Sequence, residues 1–300
     1  MDESRLTVVI PAYNEAETLR GCLDSLVPQL THLYEIVVVD NNSTDETASL
    51  VEEFASNYGK FRSVVATEQG VIHARTVGFD NARGDVIARI DADSRVGPGW
   101  AQSINEFFDQ YGDVYEAGTG LCTSHDLPFQ DRFRRSHIGI TGDARAKLAA
   151  MSERPGSEGP DLQRLFGSNM AMTKKAWEQA RSCSCMRSDV FEDLDLTLCL
   201  KRNGIRIGLI PGADATISGR RYLTPPPAYF RYCLRDQRTF KVHGLPKERA
   251  KAVVQMLVVA MPFYLINWVP FRAYDPASER FRIRNLIRPP QTRLTPRAHR

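Results

Sequence analysis

Short apolar runs alternate with helically periodic stretches along the first hundred residues. Residues 7–10 and 36–39 are β-branched or apolar runs, which are typical of strands buried on both faces. Between them, four apolar residues recur at the spacing of one helix face: Leu19, Cys22, Leu23 and Leu26. Further strands are predicted at 64–66 and 86–90, with a helix around 73–82. This alternation predicts a mostly parallel, Rossmann-like α/β sheet with helices on both faces.

Two pairs of residues predict helix ends. Ser43 and Glu46 have the spacing of a capping box, which predicts the start of the helix after the second strand. A later helix is predicted from Phe191 to Lys201, and Asn203-Gly204 is its stop signal.

The segment from Ala252 to Phe271 contains twenty residues without a charge. Its length is sufficient to span a bilayer. Polar residues and prolines interrupt it, however, at Gln255, Pro262, Asn267 and Pro270. An interfacial helix, or a helix packed on the body, is therefore favoured over a membrane span.

Charge is distributed unevenly along the 300 residues. The net charge is +3, but residues 272–300 carry eight arginines and two acids, a net charge of +6. Such a tail suits an anionic membrane surface or nucleic acid, and a solvated, disordered end is the alternative. Of these partners we expect the membrane surface and no nucleic acid. The amino terminus lacks the apolar run of a signal peptide, and the six scattered cysteines contain no CxxC pair. We therefore expect a cytoplasmic chain with reduced thiols.

Polar clusters follow three of the predicted strands, at residues 11–15, 40–45 and 91–93. Parallel strands would bring all three clusters to one edge of the sheet, where ligands bind in such folds. Each cluster alone could be a turn or a helix cap. Asp91 and Asp93, however, also suit a hard divalent cation. The chain has neither a P-loop nor a GxGxxG motif, which argues against a dinucleotide-binding dehydrogenase.

Five segments in order carry a family resemblance: "VVIPAYNEAETL", "EIVVVDNNSTDET", "GVIHARTVGFDNARGDVIARIDADS", "GSNMAMTKKAW" and "FEDLDLTLCLKRNG". They resemble the motifs of family-two glycosyltransferases, which are inverting enzymes with the nucleotide-sugar-binding GT-A fold. The resemblance runs from about Thr7 to Ile210. The resemblance implies that Pro11, Tyr13 and Glu15 line the nucleotide pocket.

Six further roles follow from the resemblance. It implies that Asp40 binds the base and that Arg75 lies near the nucleotide. Asp91 and Asp93 match the DXD pair, so Asp93 is the expected ligand of a divalent cation, Mg²⁺ or Mn²⁺. The final two roles concern the acidic pair Glu192 and Asp193.

Asp193 matches the catalytic base, and Glu192 precedes it in the acidic pair. If the two carboxylates lie close together, one pKa should be raised, which favours a base nearer neutrality. The alternative interpretation is that both are first-turn acids that stabilise the helix dipole.

Two positions depart from the family pattern. Residues 217–221 lack the histidine that completes the metal site in many relatives. Either Asp93, diphosphate and water hold the metal, or Arg220 and Arg221 offset the diphosphate charge. Residues 237–240 lack the tryptophan of the QxxRW motif found in processive polymerases, so we expect one sugar to be added per encounter.

These observations predict a non-processive transferase that moves a sugar from a UDP- or GDP-sugar to a glycan or lipid-linked acceptor. We expect residues 1–120 to bind the donor, residues 121–225 to hold the acceptor and the base, and residues 226–300 to form a hydrophobic helix and basic tail. The protein is expected in the cytoplasm, at the inner face of the membrane. A sugar-phosphate nucleotidyltransferase and a non-catalytic nucleotide-sugar-binding module are the alternatives.

Overall fold

The computed structural model describes residues 5–129, 144, 146–151, 153 and 159–287. In chain order the helices and strands are β1 (Leu6–Ala12), α1 (Ala16–Leu26), a 3₁₀ helix (Val27–His32), β2 (Glu35–Asp40), α2 (Thr47–Asn57), β3 (Phe61–Val65), α3 (Val71–Asn81), β4 (Val86–Ile90), β5 (Arg95–Val96), α4 (Trp100–Tyr111), β6 (Ala117–Thr119), β7 (Cys122–Ser124), β8 (Asn169–Thr173), α5 (Lys174–Arg181), α6 (Glu192–Arg202), β9 (Ile207–Leu209), β10 (Ala215–Ile217), a 3₁₀ helix (Arg220–Leu223), α7 (Pro226–Val242), α8 (Pro246–Gln255), a π-helical segment (Met256–Ala260), α9 (Met261–Ala273), β11 (Tyr274–Asp275), β12 (Arg280–Phe281) and a 3₁₀ helix (Ile283–Ile287). The predicted basic tail lies outside the described residues from residue 288 onward.

Seven strands form the central sheet in the order β3-β2-β1-β4-β8-β6-β9. The first four of these strands pair in parallel, as the alternation of strands and helices predicts. β8 runs antiparallel to both β4 and β6, so the sheet is mixed on that side. Ala12 of β1 pairs in register with Asp40 of β2, which brings the ends of these two strands side by side. A smaller sheet contains β5, β10 and β7.

Alternate residues of β1 belong to two hydrophobic clusters, one on each face of the sheet. Val8 and Ile10 lie in the cluster that contains all four apolar residues of the predicted α1 face. Val9 lies in the other cluster, with Phe79 of α3 and Trp177 of α5. Burying a large apolar side chain contributes about 1.5–3 kcal/mol, so helices on both faces stabilise the sheet. The predicted covered sheet is confirmed.

One predicted helix end is wrong and the other is confirmed. α2 begins at Thr47, and Ser43 does not cap it. The Ser43 hydroxyl instead accepts a hydrogen bond from the Asn14 backbone N–H at 3.0 Å, because the loops after β1 and β2 lie side by side. α6 ends as predicted, with Gly204 in the left-handed region at φ 74°.

The carboxyl-terminal apolar segment lies within one continuous helix from Pro246 to Ala273, which comprises α8, the π-helical segment and α9. By length and composition alone this helix could cross a bilayer, and only 17% of its most apolar window is buried. One face packs on the body: the Tyr264 ring stacks on Tyr229 of α7 with a centroid distance of 3.9 Å. The other face exposes large apolar side chains: Val254, Leu257, Val258, Val259, Leu265, Ile266 and Val269.

Candidate functional site

A cavity of about 640 Å³ opens at the carboxyl ends of the parallel strands. Residues from distant parts of the chain line it, including the ends of β1 and β4, the start of α6 and one face of α7. Seven of the nine predicted site residues are among them: Pro11, Tyr13, Glu15, Asp91, Asp93, Glu192 and Asp193. The sheet order gathers residues that are up to 182 positions apart in the sequence, from Pro11 to Asp193.

The loop after β1 is held against the loop after β2. Asn14 adopts a left-handed conformation with φ 51°, and its side-chain carbonyl accepts a hydrogen bond from the Thr44 N–H at 2.7 Å. Glu15 is buried, and its carboxylate accepts a hydrogen bond from the Thr18 hydroxyl at 2.7 Å. These contacts place the Tyr13 ring and the Glu15 carboxylate at the cavity, where an aromatic face and an acceptor suit a nucleoside.

Asp40 and Arg75 are not among the residues that line the cavity. The Asp40 carboxylate accepts a hydrogen bond from the Ser43 N–H at 3.1 Å, and its neighbour Asn41 faces the cavity instead. Arg75 is fully buried, where it donates to the backbone carbonyl of Glu192. Their predicted roles near the nucleotide therefore stay predictions, and Arg75 has a direct structural link to the acidic pair.

Arg89 joins the two acidic motifs. It projects from β4, with only 3% of its side chain exposed, and donates to Asp91 Oδ1 at 2.7 Å. The same Nη2 atom lies 3.4 Å from Glu192 Oε1. An arginine inside an otherwise apolar strand therefore fixes the spacing between the strand end and the start of α6.

The sequence predicted a raised pKa for one member of the acidic pair, and Glu192 is not that member. Burial alone would raise the pKa of Glu192, but the positive charges of Arg89 and Arg75 outweigh burial and lower it below its ordinary value. Glu192 is therefore an ionised partner of two arginines, and it is not a base with a raised pKa.

Asp193 lies at the start of α6, close to Gly167 in the segment that precedes β8. Its Oδ2 lies 3.4 Å from the Gly167 N–H, and its Oδ1 lies 3.8 Å from Arg164 Nη2. Gly167 is needed here: a Cβ at this position would lie 2.4 Å from Arg89 Nη1 and 3.0 Å from the Asp193 Cβ. Gly167 thus permits the close approach of β4 and α6.

Arg220 occupies the neighbourhood of the predicted metal ligand. Its Nη2 donates to Asp93 Oδ2 at 2.9 Å and to Glu15 Oε2 at 2.9 Å. Burial would lower the pKa of Arg220, but these two carboxylates outweigh burial and raise it. A divalent cation commonly takes one or two carboxylates, with substrate phosphates and water completing its shell. Asp93 and Glu15 fit that chemistry, provided that Arg220 leaves Asp93.

A buried polar network supports α6 from behind. Asp195 is fully buried; its Oδ1 lies 2.8 Å from His243 Nε2, and its Oδ2 accepts a hydrogen bond from the Ser184 hydroxyl at 3.1 Å. Ser184 in turn accepts from Arg75 at 2.9 Å. Sequence reasoning missed this network, although the Asp193-x-Asp195 spacing was a signal.

The same region holds the three metal-ligating side chains that cluster within the described chain: Asp195, Cys199 and His243. Burial raises the pKa of the Cys199 thiol, which disfavours the thiolate form that binds metals. The Asp195 carboxylate is also fully engaged in hydrogen bonds. We therefore assign this cluster to holding α6 in place.

Aromatic and basic side chains from α7 and its neighbours line one wall of the cavity. The Tyr232 ring of α7 meets Phe191 edge-on with a centroid distance of 4.7 Å. The Arg221 Cζ lies over the face of the Tyr232 ring, 3.9 Å from the ring centroid. The Arg235 Cζ lies 6.0 Å from the same centroid. Arg164 pairs with Asp236 at 3.2 Å. Sequence reasoning did not identify Tyr232, Arg235 or Arg164, since no local motif marks them.

Comparison with known proteins identifies the family of the chain. Residues 7–180, more than half of the chain, match the family model described as Glycosyl transferase family 2. The uncharacterized glycosyltransferase YibD of Escherichia coli K12 is 34% identical over 158 residues, which are 50% of this chain and 45% of YibD. The undecaprenyl-phosphate 4-deoxy-4-formamido-L-arabinose transferase of Pseudomonas fluorescens is 40% identical over 93 residues, 29% of this chain and 27% of that protein. The chain therefore spans less than half the length of these curated relatives.

A solved structure resembles nearly the whole chain. The mannosyltransferase PcManGT of Pyrobaculum calidifontis, in complex with GDP-Man and Mn²⁺, superposes with a TM-score of 0.60 at 20% identity. The match covers 94% of this chain and 77% of PcManGT. The likeness confirms the predicted GT-A fold.

Proposed function

The chain belongs to glycosyl transferase family 2, and on that basis we propose that it moves a sugar from a nucleotide-sugar donor to an acceptor hydroxyl, with inversion at the transferred carbon. One observation carries the proposal: the residues expected to hold the donor and the residue expected to act as base line the same cavity. A non-catalytic binding module would not need Asp193 at that position.

The donor side lies at the ends of β1 and β4. Tyr13 and Glu15 offer a stacking face and an acceptor to the nucleoside, and residues 1–120 would form this half. Asp93, with Glu15 beside it, would hold a divalent cation, Mg²⁺ or Mn²⁺. Such a cation supplies neutralisation of the charge that develops on the departing diphosphate. PcManGT, a neighbour in fold, binds GDP-Man and Mn²⁺, which favours a UDP- or GDP-sugar here.

Asp193 takes the proton of the attacking hydroxyl. A carboxylate at the cavity wall can accept that proton when the hydroxyl comes within hydrogen-bond reach. The Gly167 N–H and Arg164 orient the Asp193 carboxylate, and Arg89 keeps Glu192 ionised beside it. A single base on this wall suits one direct displacement, and hence inversion of configuration.

The acceptor half, residues 121–225, would bind a glycan or a lipid-linked glycan and receive one sugar per encounter. Gln237, the first residue of the incomplete QxxRW segment, does not line the cavity. Its side-chain carbonyl accepts a hydrogen bond from Arg249 Nε at 3.0 Å. This contact supports a non-processive enzyme, because the segment that marks processive relatives does not reach the site.

The carboxyl-terminal helix suits the cytoplasmic face of a membrane. Its apolar side chains are exposed, with Ile266 at 71%, and α8 carries three basic residues before them: Lys247, Arg249 and Lys251. Gln255, at the end of α8, lines the cavity, so the site and the exposed helix are continuous. An interfacial helix with basic neighbours binds anionic lipid. A relative named as an undecaprenyl-phosphate transferase supports a lipid-linked acceptor.

Thermal denaturation with a panel of UDP-, GDP- and TDP-sugars tests the proposal, because a ligand that binds the native state raises Tm. We expect one donor class to raise Tm, and to raise it further with Mn²⁺. Asp93→Asn should remove the Mn²⁺ increment, and chelator should do the same in the wild type. If no nucleotide-sugar changes Tm, the donor assignment is wrong.

A further inference from the structure

Five arginines line the cavity, and they differ in how they are neutralised: Arg89, Arg164, Arg220, Arg221 and Arg235. Arg89, Arg164 and Arg220 each have carboxylate partners within hydrogen-bond or ion-pair distance. In the part of the chain that the structure describes, Arg221 and Arg235 have none. A cavity wall with unneutralised guanidinium groups favours an anionic ligand, since charge removed from water needs a partner.

The two arginines share one aromatic ring. Arg221 stacks on Tyr232 with its Cζ 3.9 Å from the ring centroid, and Arg235 lies 6.0 Å from the same centroid. A stacked guanidinium uses its flat face for the ring and keeps its N–H edges for hydrogen bonds. Those edges are the geometry that binds two oxygens of a phosphate at once. Tyr232 therefore holds Arg221 ready for an oxyanion.

This pair lies on the acceptor side of the cavity. Tyr232 packs edge-on against Phe191, the residue before Glu192 and Asp193. Asp236, the neighbour of Arg235 in α7, pairs with Arg164, and Arg164 reaches Asp193. The cavity also borders Gln255, at the point where the exposed apolar helix surface begins.

We propose that Arg221 and Arg235 bind a phosphate or diphosphate group of the acceptor, which presents its hydroxyl to Asp193. The proposal rests on the glycosyltransferase function proposed above and specifies its acceptor class as phosphate-bearing. The phosphate can belong to a lipid headgroup, with its chain along the apolar helix, or to a soluble phosphorylated molecule.

The test uses the full chain with its donor site filled by saturating UDP or GDP, whichever raises Tm. Calorimetric titrations then compare octyl phosphate, inorganic phosphate and the uncharged octyl glucoside. Losing a bidentate arginine contact weakens an oxyanion complex by about tenfold or more. We expect such a loss of octyl phosphate affinity in Arg221→Ala and in Arg235→Ala. Arg231→Ala, at an exposed position of α7, is the matched control and should bind like the wild type.

The outcomes separate the two sources of phosphate. Tighter binding of octyl phosphate than of inorganic phosphate supports a lipid headgroup, and equal binding supports a soluble phosphorylated acceptor. Equal affinities of wild type, Arg221→Ala and Arg235→Ala for both phosphates would overturn the proposal. So would octyl glucoside binding as tightly as octyl phosphate.

UDP or GDP affinity is the readout that keeps this proposal apart from the function itself. We expect both variants to bind the nucleotide like the wild type. If Arg221→Ala weakens nucleotide binding instead, Arg221 is a donor ligand: the acceptor proposal is then wrong, while the transferase function stands. Arg221→Lys, which keeps the charge without the two-edged fork, should recover only part of the octyl phosphate affinity.

Discussion

The two sides of the cavity differ in how completely they are neutralised within the chain. On one side, which we call the ion-paired side, Arg89 and Arg220 are bonded to carboxylates at 2.7 and 2.9 Å. On the other side, which we call the Tyr232 side, Arg221 and Arg235 border an aromatic ring, and a helix with exposed apolar side chains follows. The first side is held together by its own contacts, whereas the second has surfaces that suit ligands from outside.

This difference has a physical consequence for ligand binding. A cation and diphosphate at Asp93 must compete with Arg220, which already compensates Asp93 and Glu15. An anion at Arg221 has no such internal competitor among the described residues. Substitutions that break the ion-paired contacts should therefore damage catalysis or stability, and substitutions of Arg221 and Arg235 should mainly change what binds.

The largest effect is expected for Asp193→Asn. Because Asp193 takes the proton only on the way to the transition state, transfer should fall by about 10²–10⁴-fold while donor affinity is nearly unchanged. Initial rates and donor titrations measure the two quantities. Asp189→Asn, which changes a partly exposed carboxylate paired with Arg187, is the matched control. Loss of donor binding in Asp193→Asn would show a role in the nucleotide site instead.

Glu192→Gln should mainly reduce stability. It removes one carboxylate from the surroundings of Arg75 and Arg89, and breaking a buried ion pair costs about 3–5 kcal/mol. Because the folded-state pKa of Glu192 is lowered from 4.5, its stabilisation is complete above pH 4.5 and is lost as the pH falls through the lowered value.

Denaturant unfolding at neutral and acidic pH measures this effect. The difference in unfolding free energy between wild type and Glu192→Gln should shrink on acidification. Glu178→Gln, at an exposed position of α5, should leave stability unchanged. A difference that is constant with pH would contradict the ion-pair account.

Gly167→Ala should lower turnover without abolishing folding. The added methyl group would lie 2.4 Å from Arg89 Nη1, so Arg89 or Asp193 must shift. Overpacking of this kind costs about 1–3 kcal/mol. Gly59→Ala is the control, because its Cβ would meet nothing within 4 Å. Wild-type turnover in Gly167→Ala would show that the contact between β4 and α6 does not position the base.

The smallest effect is expected on the exposed helix. Val258→Ser and Ile266→Ser should each weaken binding to anionic phosphatidylglycerol vesicles by about 1–2 kcal/mol, since each removes exposed apolar surface. Val65→Ser, 60% exposed on β3, is the control. Co-sedimentation at low and high salt measures binding, which should weaken as salt rises. A wild-type chain that ignores these vesicles at low salt would contradict the membrane interpretation.

The fold, and the position of seven of the cavity-lining residues, could be predicted from the sequence because both depend on local patterns. Apolar runs marked the strands, and the polar residues just after them marked the site, from Tyr13 to Asp93. The carboxyl ends of parallel strands share an edge, so no tertiary information was needed to bring these residues together.

The charge pairing could not be predicted in this way. Arg220 meets Glu15 across 205 positions, and Arg89 meets Glu192 across 103, so each pair depends on how distant elements pack. That packing also lowers the pKa of Glu192, because the charges of two buried arginines outweigh its burial and the nearby Asp91. Tyr232 carries no local signal, since an aromatic residue in an amphipathic helix is usually a core residue.

The most direct test of the central claim follows the sugar released from the donor by proton NMR. An α-linked nucleotide-sugar that raises Tm is incubated with the wild type and with Asp193→Asn, and the first anomer of the released sugar is recorded before it equilibrates. Because Asp193 would activate water or acceptor on the face opposite the nucleotide, the account predicts that the wild type releases the β anomer first and that Asp193→Asn releases almost none. First release of the α anomer, or equal release by the variant, would contradict it.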